Sequence, residues 1–509
     1  MHKSRTVTGW IVGVLVFIHA AQAANDRLSD DILDNPRLLE AYVSKVVTNR
    51  MQKGHVPGAV VTIVRGNKVV FNKGYGFANL AQSKRVDPEK TLFRIASVSK
   101  VFNAMAAMML VDRGEIGLNE DVRPRLLAAG LVLDNTVEGP VTLRGLLTHS
   151  AGIRELYIPK ITLNTDPAKV LPIGAYLRKC LPLRWHPPGE AGLYTDHGIT
   201  LAGYVIEEVS GKKFQNFVEA SVMRPLGMKH SHYARPGEPL TDVAVGYSHT
   251  DAGYEAAAFC YTSIDPAIGV LTTGSDMGRL IIAHLTGKPR LFDSNTMKIM
   301  HESQYSDDPR LGYEWTCGFF KMGSSSESFL MHHGAALEFA SLLMILPRAQ
   351  IGCFIAQNSE SDCVFHIGDL QALVGKPAST SSSEPAEPLV LRSIDGSDLA
   401  ALAGTYVSNR DLSRGSPVGE HDHVGVKYIR ESNALEVTHW HNRDQPLRFV
   451  ETEHLYFHAT QGKQRISFRK SPDGKRMYLF DFNFSSEGQH TRISSTNSTP
   501  SPKPDRDQH

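Results

Sequence analysis

Two apolar runs, FASLLMIL from Phe339 to Leu346 and IGCFIAQN from Ile351 to Asn358, are separated only by Pro347-Arg348-Ala349-Gln350. Near-continuous hydrophobicity over that length fits strands buried on both faces, and the Pro-led polar break marks the turn between them. A second strand pair lies far upstream in VVTIVRGNKVVFNKGYG from Val60, where Gly66-Asn67 supplies residue types that accept the positive φ of a tight hairpin. Helical patterns such as ITLAGYVIEEVSG, stopped by Gly211, fill the interval. Strands at both ends with helices between them predict an antiparallel sheet assembled from both ends and flanked by a helical cluster, an α+β arrangement.

A chain of 509 residues exceeds what one ordinary core holds. The first 23 residues carry Lys3 and Arg5, an apolar run from Ile11 to Ile18 and then Ala21-Gln22-Ala23, the layout of a cleavable export signal. Residues 24–372 are expected to form the first domain. A linker, 373–390, contains GKPASTSSSEPAEP and nearly lacks large apolar residues. From 391 to 490, short β-type runs such as LAGTYVS, HVGVKYIR, RISFRK and RMYLFDFNF alternate with turn residues, which predicts an all-β sheet or small barrel. Residues 491–509 form a polar tail too poor in apolar groups to fold.

A net charge of +1 gives no basic field for nucleic acid, so the expected partner is a small-molecule or short-peptide substrate. No run after the first 23 residues is long and apolar enough to span a bilayer. The expected location is the periplasm or the exterior. Cys180, Cys260, Cys317, Cys353 and Cys363 are odd in number, widely spaced and free of any C-x-x-C pair, which argues against a disulfide scaffold. Cys353 reads as a small buried hydrophobe, while one bridge among the others remains open.

In FRIASVSKVF, Ser97 stands three residues ahead of Lys100, one helical turn away on the same face. Val101, Met105 and Met108, widened by Phe102 and Met109, continue as an apolar stripe up to Asp112-Arg113-Gly114, so the helix enters a core. Its first turn is where polar groups have to emerge. Three further stretches join this pair: GLYTDHG with Tyr194 before a helix, LLTHSAGI with Thr148 to Ser150, and MHHGAALEFAS with His332 and Gly334 just before the apolar hairpin.

Together these stretches resemble the serine β-lactamase and penicillin-binding superfamily, nearest its class C β-lactamase-like hydrolases, esterases and D-peptidases. Ser97-Val98-Ser99-Lys100 matches the first motif; Tyr194-Thr195-Asp196 stands where the family has Tyr-x-Asn, and His332-His333-Gly334 where it has Lys-Thr-Gly or His-x-Gly. PPGE, RPLGM from Arg224 and GVLTTGSDMGRL from Gly269 add support in the family's order, and the likeness runs from about Asp26 to Gly368. The barrel-like region resembles the lipocalin-like modules that follow such domains.

A serine hydroxyl needs a base, and Lys100 serves as one only when neutral, against a free pKa near ~10.4. Partial burial and nearby positive charge would favour the neutral amine. By resemblance Tyr194 relays the proton; Tyr194 as phenolate is the alternative primary base. The resemblance also implies an oxyanion hole from the backbone N–H groups of Ser97 and Ala335, close backbone approach at Gly334, and a donor or positive charge from His332. Asp196 departs from the family: an ionised aspartate only accepts, so the substrate is expected to offer a donor there, as in an amino-acid ester or a D-aminoacyl amide. Leu337-Glu338 and His197-Gly198 also depart and are expected to reshape the pocket.

No cofactor is implied. His332-His333 lacks a third ligand at zinc spacing, and His421-Asp422-His423 with His439-Trp440-His441 read as surface histidines ahead of a metal site. The expected protein is a secreted serine hydrolase forming an acyl-enzyme at Ser97, an esterase or D-peptidase ahead of a true β-lactamase. The rival reading is a catalytically inactive binding protein that keeps the pocket.

Overall fold

The computed structural model describes residues 32–493, apart from 135, 156–157, 182–183, 324–327, 375–398, 409–422, 439–446, 460–464, 475 and 482–488. The expected export signal, nearly all of the expected linker, the paired histidines at 421 and 439–441, and the polar tail beyond 493 lie outside the described residues.

Eight strands form the main sheet: β1 (Gly58–Arg65), β2 (Lys68–Asn79), β3 (Lys84–Arg85), β4 (Tyr313–Trp315), β5 (Phe320–Met322), β6 (Phe329–Ala336), β7 (Phe339–Leu346) and β8 (Ile351–Gln357). Their order is β4-β5-β6-β7-β8-β1-β2-β3, so β1 from the front of the domain pairs antiparallel with β8 from its end, Val61 opposite Ile355. The expectation of a sheet built from both ends is met. Gly66 turns β1 into β2 at φ +58°, where glycine bears no Cβ penalty.

Alternation along β1 decides the two layers. Ala59, Val61 and Ile63 pack with Leu39, Val43 and Val47 of helix α1 (Pro36–Lys53), whereas Val60 and Val64 face the helical cluster. On that second face lie α2 (Ser99–Asp112), α3 (Asp196–Ser210) and α4 (Gly274–Thr286). α4 sits so close to the sheet that a Cβ on Gly274 would come within 2.7 Å of Thr62 Oγ1 and one on Gly352 within 2.4 Å of Ile281 Cγ2.

The sequence places an apolar stripe on α2, but in the fold every residue from Ser99 to Leu110 is buried. A helix apolar over most of its circumference can be surrounded on all sides; of the three polar residues inside it Lys100 belongs to the site described below, and Ser99 and Asn103 are held by hydrogen bonds. Ser99 Oγ accepts from Val270 N at 3.1 Å, and Asn103 Nδ2 donates to the Ile199 carbonyl at 2.9 Å.

The C-terminal region closes into a barrel of β9 (Gly404–Ser408), β10 (His423–Ile429), β11 (Ala434–Thr438), β12 (Leu447–Glu453), β13 (Tyr456–Ala459), β14 (Arg465–Lys470), β15 (Met477–Asp481) and β16 (Gln489–Ile493). β16 pairs with both β9 and β15, which removes the open edges. It runs three residues past the boundary expected at 490, because edge closure holds a strand whose own apolar content is low. Among the described residues no helix is long and apolar enough to cross a membrane, and all five cysteines are free.

Candidate active site

Ser97 lies in a single 3-10 turn, Ala96–Val98, which leads directly into α2, where Lys100 occupies the first turn. Ala96 takes φ +43°, a left-handed conformation that costs an L-residue roughly 1–2 kcal/mol. The neighbourhood fixes it: Ile95 N donates to Val270 O at 3.2 Å, and the Ile95 carbonyl accepts from Ser341 Oγ at 2.7 Å. The strained turn tips the Ser97 hydroxyl out of an otherwise buried helix head.

Lys100 is 1% exposed, and its ammonium is the centre of the site. Nζ donates to Ser97 Oγ at 2.9 Å and to the Ala267 carbonyl at 3.3 Å, and lies 2.7 Å from Asp196 Oδ1. It sits 4.8 Å from the centre of the Tyr194 ring, whose hydroxyl is a further hydrogen-bond partner. Burial alone would lower the lysine pKa; the Asp196 carboxylate and Tyr194 outweigh it and hold the pKa above its ordinary value. Lys100 is therefore protonated at rest. This corrects the expectation of a neutral amine: partial burial and a nearby cation were expected, and the fold supplies full burial with a counter-ion.

Asp196 is the first residue of α3, directly after Thr195, whose hydroxyl caps the helix by accepting from Gly198 N at 3.3 Å. Its carboxylate was expected to face a donor on the substrate. It is engaged instead by Lys100, because the starts of α2 and α3 meet. His197, expected to reshape the pocket, is 1% exposed and points away from it: its Nδ1 lies 2.8 Å from Glu155 Oε1 and its Nε2 2.7 Å from Tyr176 Oη. Glu155 Oε2 also accepts from Asp196 N at 2.6 Å, so a buried carboxylate anchors the backbone that carries Asp196.

His332 and Gly334 arrive on β6, in register with Leu343 and Ser341 of β7. A Cβ on Gly334 would stand 2.3 Å from Ile95 O and 2.9 Å from Ser97 N, so only glycine lets β6 approach the nucleophile's backbone. Ala335 follows and is exposed. His332 Nδ1 lies 2.8 Å from the His333 carbonyl, which can only accept, so Nδ1 carries the proton and Nε2 is left as an acceptor. Burial, then Lys100 and His333, hold the His332 pKa well below its ordinary value. His332 is thus neutral with a fixed tautomer, which corrects its assignment as a donor or positive charge.

Leu337 and Glu338 form the turn from β6 to β7, both left-handed at φ +57° and +59°. Leu337 lines a cavity of about 560 Å³ together with Arg94, Phe259, Cys260 and Phe339. One site residue carried no assignment in the sequence. The His149 ring packs tilted against Tyr194 with ring centres 4.4 Å apart, and its Nδ1 accepts from Thr195 N at 3.1 Å. Its signal is the Thr148–Ser150 loop in LLTHSAGI. Among the described residues no group of three or more His, Cys, Asp or Glu is arranged to hold a metal ion.

Comparison with known proteins bears on the fold and the family. Protein flp of Staphylococcus aureus (strain N315) is 24% identical over 332 residues, which is 64% of either chain, so this chain spans about 64% of the length of that relative. SurE, in a structure with D-Leu, superposes with a TM-score of 0.60 at 22% identity over 89% of this chain and 98% of its own. EstCE1, described as a hydrolase with promiscuous acyltransferase activity, gives 0.57 at 20% identity over 67% and 98%. The beta-lactamase family model matches residues 43–415, which contain Ser97, Lys100, Tyr194 and Gly334 in order, and the chain belongs to the beta-lactamase family of serine hydrolase folds.

Proposed function

We propose that this chain is a class C-like serine hydrolase that cleaves an ester or amide bond, D-aminoacyl or β-lactam-like, through an acyl-enzyme on Ser97. The observation that carries the reading is Lys100 Nζ, buried between Ser97 Oγ at 2.9 Å and Asp196 Oδ1 at 2.7 Å. A protonated lysine cannot take a proton, but it can pass one on. As Ser97 Oγ bonds to the substrate carbonyl carbon, its proton moves to Lys100 while a Lys100 proton moves to Asp196, so the lysine is never a net acceptor. The carbonyl π electrons move to oxygen, beside the N–H groups of Ser97 and Ala335. Collapse of that oxyanion breaks the bond to the leaving group, which takes a proton from Tyr194, and Tyr194 recovers it from the Lys100–Asp196 pair. Water then repeats the sequence in reverse and frees the acid.

The fold neighbours support an acyl-transfer reading with small acyl groups: a D-amino acid accompanies SurE, and EstCE1 is named for hydrolysis with acyl transfer. A catalytically silent binding protein is the second reading, favoured by the charged resting state of Lys100. Intact-mass spectrometry after exposure to a fluorophosphonate or a penicillin separates the two. A single adduct that is lost in Ser97→Ala is expected. Absence of any adduct across β-lactams, aryl esters and D-aminoacyl amides would overturn the hydrolase reading.

A further inference from the structure

The segment Glu190–Tyr194 has no regular secondary structure, so its backbone groups must find partners one by one. On the Tyr194 side they come from the first domain: Leu193 N donates to His149 O at 2.7 Å and Thr195 N to His149 Nδ1 at 3.1 Å. On the other side they come from the barrel. Arg469 of β14 donates to the Glu190 carbonyl. Arg476 donates to Glu190 Oε1 at 2.6 Å, and Tyr478 of β15 donates to the same oxygen at 2.5 Å. Arg469 also donates to the Asp307 carbonyl at 3.0 Å, and Asp307 Oδ1 accepts from Gly192 N at 2.9 Å.

Both carboxylates are nearly buried, Glu190 at 9% and Asp307 at 6% exposure, so each depends on its guanidinium partner. Ala191 is fully buried in an apolar seat made with Leu311, Tyr456, Tyr478 and Phe480. From this geometry we infer that Arg469 and Arg476 of the barrel are positioning residues for the active site: by gripping Glu190 and Asp307 they set where Tyr194, four residues on, stands against Lys100. The catalytic consequence rests on the hydrolase reading of Tyr194; the grip itself does not. A simple adhesive seam would need none of these bonds to land on the strip that carries Tyr194. The Tyr456 ring shares the seat of Ala191, but its hydroxyl makes an adhesive contact off the strip, donating to the Arg310 carbonyl at 2.6 Å, and Tyr456→Phe removes that contact and keeps the ring.

The test uses the full chain and the variants Arg469→Met, Arg476→Met, Arg476→Lys and Tyr456→Phe. Amide exchange by mass spectrometry reads the grip without reference to activity: both Met variants are expected to speed exchange in the peptide holding Gly192 and Leu193 while leaving α2 protected. With a p-nitrophenyl ester, kcat is expected to fall on the order of 10²-fold with KM held, as for a misplaced catalytic group. Arg476→Lys should restore part of kcat, and Tyr456→Phe should stay within about two-fold. Unchanged exchange in both Met variants, faster exchange with unchanged kcat, or an equal loss in Tyr456→Phe would each overturn the inference. If the Met variants fail to fold, Glu190→Gln, which keeps the shape and removes the charge, is read the same way. A wild-type chain that never labels at Ser97 removes the hydrolase reading, and the exchange arm still decides the grip.

Discussion

Lys100 Nζ stands 2.7 Å from Asp196 Oδ1 and 2.9 Å from Ser97 Oγ, so the lysine joins the hydroxyl to a carboxylate. If that carboxylate is the final proton acceptor, Asp196→Asn leaves only Lys100 or Tyr194 to take the proton, each active only once it has lost its own. The ascending limb of the kcat/KM profile against pH should move to higher pH, with a loss on the order of 10² at pH 7. The profile of the purified variant checks this. A limb that stays in place would show that Asp196 takes no proton.

Gly334→Ala would put a methyl group 2.3 Å from Ile95 O and 2.9 Å from Ser97 N. Both are backbone atoms, so β6 or the Ser97 turn has to shift. Since one misplaced oxyanion donor costs on the order of 10² in rate, stopped-flow acylation should slow by at least that factor. Acylation at the wild-type rate would remove the Ser97 N–H from the oxyanion assignment.

His332 spends its Nδ1 proton on the His333 carbonyl, and burial keeps the ring neutral. Its titration therefore lies below the range in which an ordinary histidine responds. Replacing it with glutamine should leave the shape of the activity profile from about pH 6 to 8 unaltered, whatever happens to the rate. A limb that disappears in His332→Gln would show that the imidazolium form is used.

How much of this was legible in the sequence follows from how local each cause is. Ser97 and Lys100 lie one turn apart and Gly334 sits just before an apolar hairpin, so their placement is local; their roles came from the resemblance to the serine β-lactamase superfamily, since the spacing by itself is common. The facing of Asp196 toward Lys100 is set by two helix starts meeting across 96 residues of chain, which no local pattern encodes. The neutral form of His332 follows from burial and from a carbonyl one residue away, features that appear only once β6 is packed. The barrel was readable because Tyr478, Leu479 and Phe480 lie in a run of β-formers. Strand β16, Gln489–Ile493, was not, since its place is dictated by the partners β9 and β15. The contacts of Arg469 and Arg476 on Glu190 span more than half the chain and are invisible to any window.

Acid stability offers a test away from the catalytic groups. His284 Nδ1 lies 2.9 Å from His301 Nε2 in the packing between α4 and the helix Ser294–His301, and the bond needs one of these nitrogens unprotonated, so a pair with both rings charged cannot make it. Burial, then the neighbouring His301, hold His284 well below its ordinary pKa, and burial pushes His301 down to about 4. In the unfolded chain both titrate near ~6.5, so below that pH the unfolded state binds more protons and stability falls as pH falls. For His301 alone the loss between about pH 6.5 and 5 is on the order of 2 kcal/mol. Asp265 works the other way: burial raises its carboxyl to about 6, so the folded state takes up a proton first and regains part of the loss below that pH. Thermal melts at pH 7.5 and 5 should show a drop in Tm for the native chain and a smaller drop for His301→Gln, which keeps a hydrogen-bonding side chain but cannot charge. An identical drop in the two proteins would show that the pair does not carry the acid sensitivity.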